Sequence, residues 1–160
     1  MRERSKWFGL GLLLAGLLVA AVGGLASASN DEVRIKVVMT GAQEVPSADP
    51  DGSAKAEVTI NVGAGQICFD IKTDSTGTPN RGHIHFAPAG SNGGIVVPFF
   101  ELAAVPTDPR HDELENGRIE GCVAADPAVL QAIVANPGLY YVNLHNARFQ
   151  GGAVRGQLDQ

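Results

Sequence analysis

The chain has 160 residues, of which 12 are basic and 17 acidic, for a formal net charge of −5 at neutral pH. That length suits one domain able to bury its own core. An acidic chain with no basic run excludes nucleic acid as an expected partner, because a polyphosphate demands a basic patch.

The first residues set an expectation about compartment. "MRERSKW" carries three basic residues and one acid, and "FGLGLLLAGLLVAAVGGLA" carries no charge. Ala26 and Ala28 then stand at the −3 and −1 positions of an A-x-A cleavage site. That order reads as a secretory signal over residues 1–28, leaving a domain over 29–160. The alternative is an uncleaved membrane anchor, since the apolar run approaches the ~20 residues that span a bilayer. Membrane contact is expected only through such an uncleaved leader. Without the leader, nine basic residues face sixteen acids, a charge of −7. The expected location is secreted or in the extracytoplasmic cell envelope.

Beyond the leader, alternation dominates. "VRIKVVMT" (33–40) predicts a first strand, and "SAKAEVTINV" (53–62) puts Ala54, Ala56, Val58, Ile60 and Val62 on one face, with Lys55, Glu57, Thr59 and Asn61 on the other. "GAG" turns it into "QICFDIKT", whose Ile67, Phe69 and Ile71 face the core, so the pair predicts a hairpin with Cys68 on its outer side. Further strands are predicted at "GHIHFA", "GIVVPFF", "GRIEGCVAA", "LYYVNLHN" and "GAVRGQL". One helix interrupts them: "DPAVLQAIVANPG" offers Asp126 as N-cap, Pro127 at the first helical position and a stop at Asn136-Pro137-Gly138. Its apolar stripe is Val129, Leu130, Ile133 and Val134. About eight short strands and one short helix define an all-β fold, an antiparallel β-sandwich or barrel. Its expected core includes Val58, Ile60, Ile67, Phe69, Val96, Val142 and Leu144. Cys68 and Cys122, both in strands of a chain expected outside the cytoplasm, predict a disulfide.

The chemistry of interest lies in "RGHIHFAPAGSNGG" (81–94) and "YVNLHN" (141–146). Residues two apart in a strand share a face, so His83 and His85 point one way while Ile84 and Phe86 point the other. The same count groups Tyr141, Asn143 and His145 opposite Val142 and Leu144. If the apolar sides form the core, all three histidines occupy outward faces and converge only where the two strands are neighbours. Neutral imidazoles on rigid strands suit copper or zinc. Equally, such histidines can simply hydrogen-bond the Gly-rich loop that follows, with Asn143 and Arg155 in the same network. His111, among "HDELE", reads as a solvated loop residue. No G-x-S-x-G elbow or H-E-x-x-H occurs, and no pair of carboxylates is singled out for acid/base work.

"GAQEVP" (41–46), "GHIHFAPAGSNGGIVV" (82–97) and "YYVNLHNARFQGGAVRGQL" (140–158) occur in that order and together closely resemble the CHRD, or chordin-type, domain. The resemblance runs from about Val33 to Leu158 and implies a secreted, immunoglobulin-like β-sandwich or barrel. The matching positions are His83, His85, Gly90 and Gly94, then Asn143, His145, Gly152, Arg155 and Gly156. This chain has Ala153 where the family often has an acidic residue and Gln150 where it often has Pro, so a role that needs a carboxylate beside Arg155 is not carried over from the resemblance. The resemblance implies no enzymatic activity.

Three functions follow as expectations. One is a non-catalytic binding or cell-envelope structural module for an unidentified extracytoplasmic ligand, built on the polar cluster of His83, His85, Asn143, His145 and Arg155. The alternative is a mononuclear copper or zinc protein with His83, His85 and His145 as ligands, redox-active if the ion is copper. A third reading, an adhesion or matrix module, predicts an exposed apolar patch around Phe99, Phe100 and Phe149.

Overall fold

A computed structural model describes residues 32–102 and 116–159. The leader expected over 1–28, and His111 with most of its loop, lie outside the described residues.

The strands are β1 (Glu32–Thr40), β2 (Ser53–Asn61), β3 (Gln66–Asp74), β4 (Pro79–Phe86), β5 (Gly94–Glu101), β6 (Arg118–Ala124), β7 (Tyr140–Asn146) and β8 (Val154–Gln157). They form one antiparallel sheet in the order β5-β4-β7-β8-β1-β2-β3-β6. The sheet curls until its edge strands β5 and β6 come back alongside each other, so the architecture is a nearly closed barrel. β8, the last strand in chain order, sits near the middle and joins the two halves. It pairs with β7 over Tyr141↔Gln157 to Leu144↔Val154 and with β1 at Thr40↔Arg155. Gly156 makes that second junction possible: a Cβ there would lie 2.4 Å from the Val38 carbonyl oxygen.

Period-two alternation places the core as the sequence predicts. Val58, Ile60, Ile67, Phe69, Val142 and Leu144 are buried inside the barrel. In β5 the inward residue is Val97, paired with core Ile84, and Val96 is only partly buried. The pairing of β4 with β5 shifts register at Gly82/His83 and at Ile84/His85, which moves the inward positions of β5. The same irregularity buries both Phe99 and Phe100, at 3% and 4% exposure, so the exposed apolar patch expected there does not exist. Phe99 instead stacks on Phe69, ring centroids 4.6 Å apart, and fills the gap between the approaching edges. Phe149 is half-buried, with the Arg148 guanidinium 5.1 Å over its ring. Pro98, which cannot donate to a ladder, fits β5 because β5 is an edge strand.

Helix α1 (Pro127–Ala135) follows β6. Asp126 caps it by accepting from the Ala128 N–H at 2.8 Å, and Leu130 and Ile133 are the buried members of its apolar stripe. Among the described residues no helix is long and apolar enough to cross a membrane.

Cys68 and Cys122 are register partners on the outer side of β3 and β6, with Cα atoms 4.0 Å apart, and they form a disulfide. The bond closes a 54-residue separation and ties the edge strand β6 to the sheet. Chain-entropy arithmetic for such a loop gives about 4 kcal/mol. The Cys68→Ala/Cys122→Ala double variant should therefore keep its β spectrum by circular dichroism but unfold at lower urea, with ~2–4 kcal/mol lost. An unchanged midpoint would contradict that role.

Candidate functional site

Adjacency of β4, β7 and β8 turns three separate alternations into one polar array on the face away from the core. His83 pairs with Asn143, which pairs with Arg155; His85 pairs with Tyr141, which pairs with Gln157; Arg81 pairs with His145. The convergence expected of the three histidines is present. Each offers one nitrogen within 4.8 Å of the other two, and the His83 ring lies 5.7 Å from that of His85 and 5.2 Å from that of His145.

These faces point outward, yet they are not wet. His83, His85 and His145 are 5%, 9% and 7% exposed, because three loops roof the array. The first runs from Gly41 to Pro46 and brings in Glu44. The second, 87–93, supplies the Gly93 carbonyl to His85 Nδ1 at 2.9 Å. The third, 147–153, supplies the Gln150 carbonyl both to His145 Nδ1 at 2.9 Å and to the Arg81 guanidinium at 3.0 Å. Ring stacking adds a wall: His85 lies flat on Tyr141, with centroids 4.9 Å apart and planes 3° from parallel.

Glu44 is the residue that sequence reasoning missed. Its Oε2 accepts from Arg155 Nε at 2.7 Å, and both side chains are almost fully buried. The carboxylate beside Arg155 therefore comes from the "GAQEVP" segment, 111 residues away in the chain. Gly152 admits it: its φ of +139° disfavours any side chain, and a Cβ there would lie 2.6 Å from Glu44 Oε1. Arg155 then reaches the second loop, donating to the Ser91 carbonyl at 2.9 Å and to the Asn92 side chain, and its guanidinium covers Tyr141 at 4.3 Å. Asn92 in turn donates to the Val45 carbonyl at 2.7 Å. All of the sequence-predicted cluster (His83, His85, Asn143, His145 and Arg155) is thus brought into one connected array.

Burial favours the neutral form of His83 and His145. Burial first, then the imidazoles of His145 and His85 and the Arg81 guanidinium, push His83 down to about 4, partly opposed by Asn143. His145 is also lowered, chiefly by burial, against the opposing pull of the Gln150 carbonyl. Neutral imidazole is the form that ligates metals. The carbonyls of Gly93 and Gln150 each take an Nδ1–H, which turns Nε2 of His85 and of His145 into the array, that of His145 lying 3.1 Å from Asn143 Oδ1; metal-bound histidines are oriented in this way. His83 Nδ1 and His85 Nε2 are buried with no hydrogen-bond partner. Such atoms are rare because each carries a desolvation cost of ~1–3 kcal/mol.

A nearly closed antiparallel barrel with a roofed polar array on β4, β7 and β8 is an all-β module whose distinguishing feature is a site on its sheet face, not inside the barrel. The particular family is the CHRD domain: its model matches residues 35–158, and the chain belongs to that family. Searches of curated proteins and of solved structures gave no match.

Breaking the buried pair should cost far more than breaking an exposed one. Glu44→Ala leaves Arg155 buried and unpaired, an expected loss of about 3–5 kcal/mol in urea unfolding. Glu120→Ala, which removes one exposed partner of Arg118, should cost at most about 1 kcal/mol. Similar losses for both would show that the pair does not anchor the roof.

The histidine array also fixes a pH dependence. Unfolded His83 takes a proton near 6.5, whereas the folded protein resists until about 4. Its contribution is therefore fully present above pH ~6.5 and is lost as pH falls through ~4, because the unfolded state binds the extra proton. Metal-free protein should show a urea midpoint that falls over this window, and His83→Gln should flatten the fall. Parallel profiles for the two proteins would contradict the assignment.

Proposed function

We propose that this chain is an exported, non-catalytic CHRD binding module whose ligand is a copper or zinc ion held by His83, His85 and His145. The observation that carries this reading is that the three buried histidines each offer a ligand nitrogen within 4.8 Å of the other two, while His83 Nδ1 and His85 Nε2 have no hydrogen-bond partner. Three nitrogens on one tetrahedral ion at ~2.0–2.1 Å lie about 3.4 Å apart. Three neutral nitrogen donors suit copper and zinc better than the hard cations, which prefer oxygen.

Export is supported by the leader-like first 28 residues and by the disulfide, which persists in oxidising compartments. A non-catalytic role is favoured by the roof. Glu44 is engaged with Arg155, and the Gly93 and Gln150 carbonyls hold the rings of His85 and His145 in place, so the array resembles a holding site more than an open reaction centre.

The test is metal content by elemental analysis of natively exported protein, purified without chelators or a histidine tag. The expected result is close to one equivalent of copper or zinc, lost in the His83→Ala/His85→Ala variant. Metal-free protein that also fails to bind added copper or zinc would overturn the metal reading and leave the histidines as ties between sheet and loops.

A further inference from the structure

One contact in the array pairs two atoms of the same kind. His145 Nδ1 faces the Gln150 carbonyl and must carry the proton there, so a neutral ring presents a bare lone pair at Nε2. That Nε2 lies 3.1 Å from Asn143 Oδ1, itself an acceptor. Turning the Asn143 amide over would present an N–H to His145, but Glu44 opposes it. Asn143 Nδ2 lies 3.5 Å from Glu44 Oε1, and the opposite orientation would set the amide oxygen against a carboxylate. Glu44 is held in turn by Arg155, whose Nε donates to its Oε2 at 2.7 Å. The amide oxygen is thus directed toward the histidines.

Two acceptors 3.1 Å apart repel unless a proton or a metal cation lies between them. The spacing is that of neighbouring donors on a single ion: about 3.0 Å at right angles and about 3.4 Å in a tetrahedron for ~2.1 Å bonds. Asn143 is also the direct register partner of His83, so its amide stands at the centre of the array.

We infer that Asn143 Oδ1 is a fourth, oxygen ligand that completes an N3O site with His83, His85 and His145, and that Glu44, anchored by Arg155, is the positioning residue that aims it. This rests on the metal reading above and deepens it. A protein-supplied fourth donor closes the coordination shell, so the ion is held and exogenous ligands are excluded. A hard oxygen donor also favours a divalent ion, zinc(II) or copper(II), over copper(I).

Cobalt(II) serves as the probe, because its visible bands report coordination and azide reports an open position. The wild-type protein should take up one equivalent, with bands that millimolar azide leaves unchanged. Asn143→Leu, close in shape but without the oxygen, should bind cobalt(II) about 100-fold more weakly and acquire an azide-dependent spectrum. Asn143→Asp should restore azide resistance. Glu44→Gln, which releases the amide without removing a ligand, should weaken binding roughly tenfold, with the fold checked by circular dichroism. If wild-type protein takes up cobalt(II) but its bands shift with azide as the leucine variant's do, the fourth-ligand assignment is wrong while the three-histidine site stands. If wild-type protein takes up no cobalt, copper or zinc, the metal reading itself fails and this inference with it. The wild-type titration decides the matter even where Asn143→Leu does not fold.

Discussion

The buried Glu44–Arg155 pair holds together what would otherwise be an ordinary solvent-facing sheet surface. An ion pair taken out of water is stabilising only when its remaining donors and acceptors are satisfied. Here that requirement recruits the loops: Arg155 reaches Ser91 and Asn92, Asn92 reaches Val45, and Glu44 reaches Asn143. Each bond that satisfies the pair also closes the roof over three imidazoles. The low dielectric that results disfavours imidazolium and exposes nitrogen lone pairs to one another. The chemistry of the site therefore depends on a charge pair that touches none of the three histidines.

The outer surface on the other half of the sheet shows what β4, β7 and β8 would look like without that roof. There Glu57, Asp70 and Glu120 form one cross-strand row, and Lys55, Lys72 and Arg118 form the next. Arg118 bridges Asp70 and Glu120 at 2.8 and 3.0 Å, and its guanidinium holds Asp70 below the usual carboxylate range. These groups stay hydrated and so contribute little to stability. The same period-two alternation produces both surfaces, and only the loops distinguish them.

Much of this was legible from residue order. Alternation in β2, β3 and β7 located the core, and Asp126-Pro127 located the helix start, because local sterics and capping act over a few residues. The shared face of His83 and His85, and that of Asn143 and His145, followed from the same count. Three things were not legible. That β4 and β7 are neighbours is a matter of topology, and period-two counting does not reach it. The register shifts in β4–β5 moved Val96 off the core and Phe99 and Phe100 into it, since two irregular pairings break the alternation. Glu44 escaped notice because its partner lies 111 residues away and the expected acidic position, Ala153, is apolar. The signal was present in "GAQEVP", where a lone acid sits between turn-forming residues.

The central place of β8 carries a kinetic consequence. Chain order delivers β1 through β7 before the four residues that bridge them, and the sheet order leaves β7 and β1 joined only through that bridge. Until β8 inserts, the inner edges of β7 and β1 lack their ladder partner, and Arg155 has not yet met Glu44. Contacts of such large sequence separation make folding slow, and unpaired edges invite wrong partners while it waits. Assembly of the roofed histidine array is consequently a late event, possible only once the most distant contacts have formed. A completed array would then mark a chain that has finished folding.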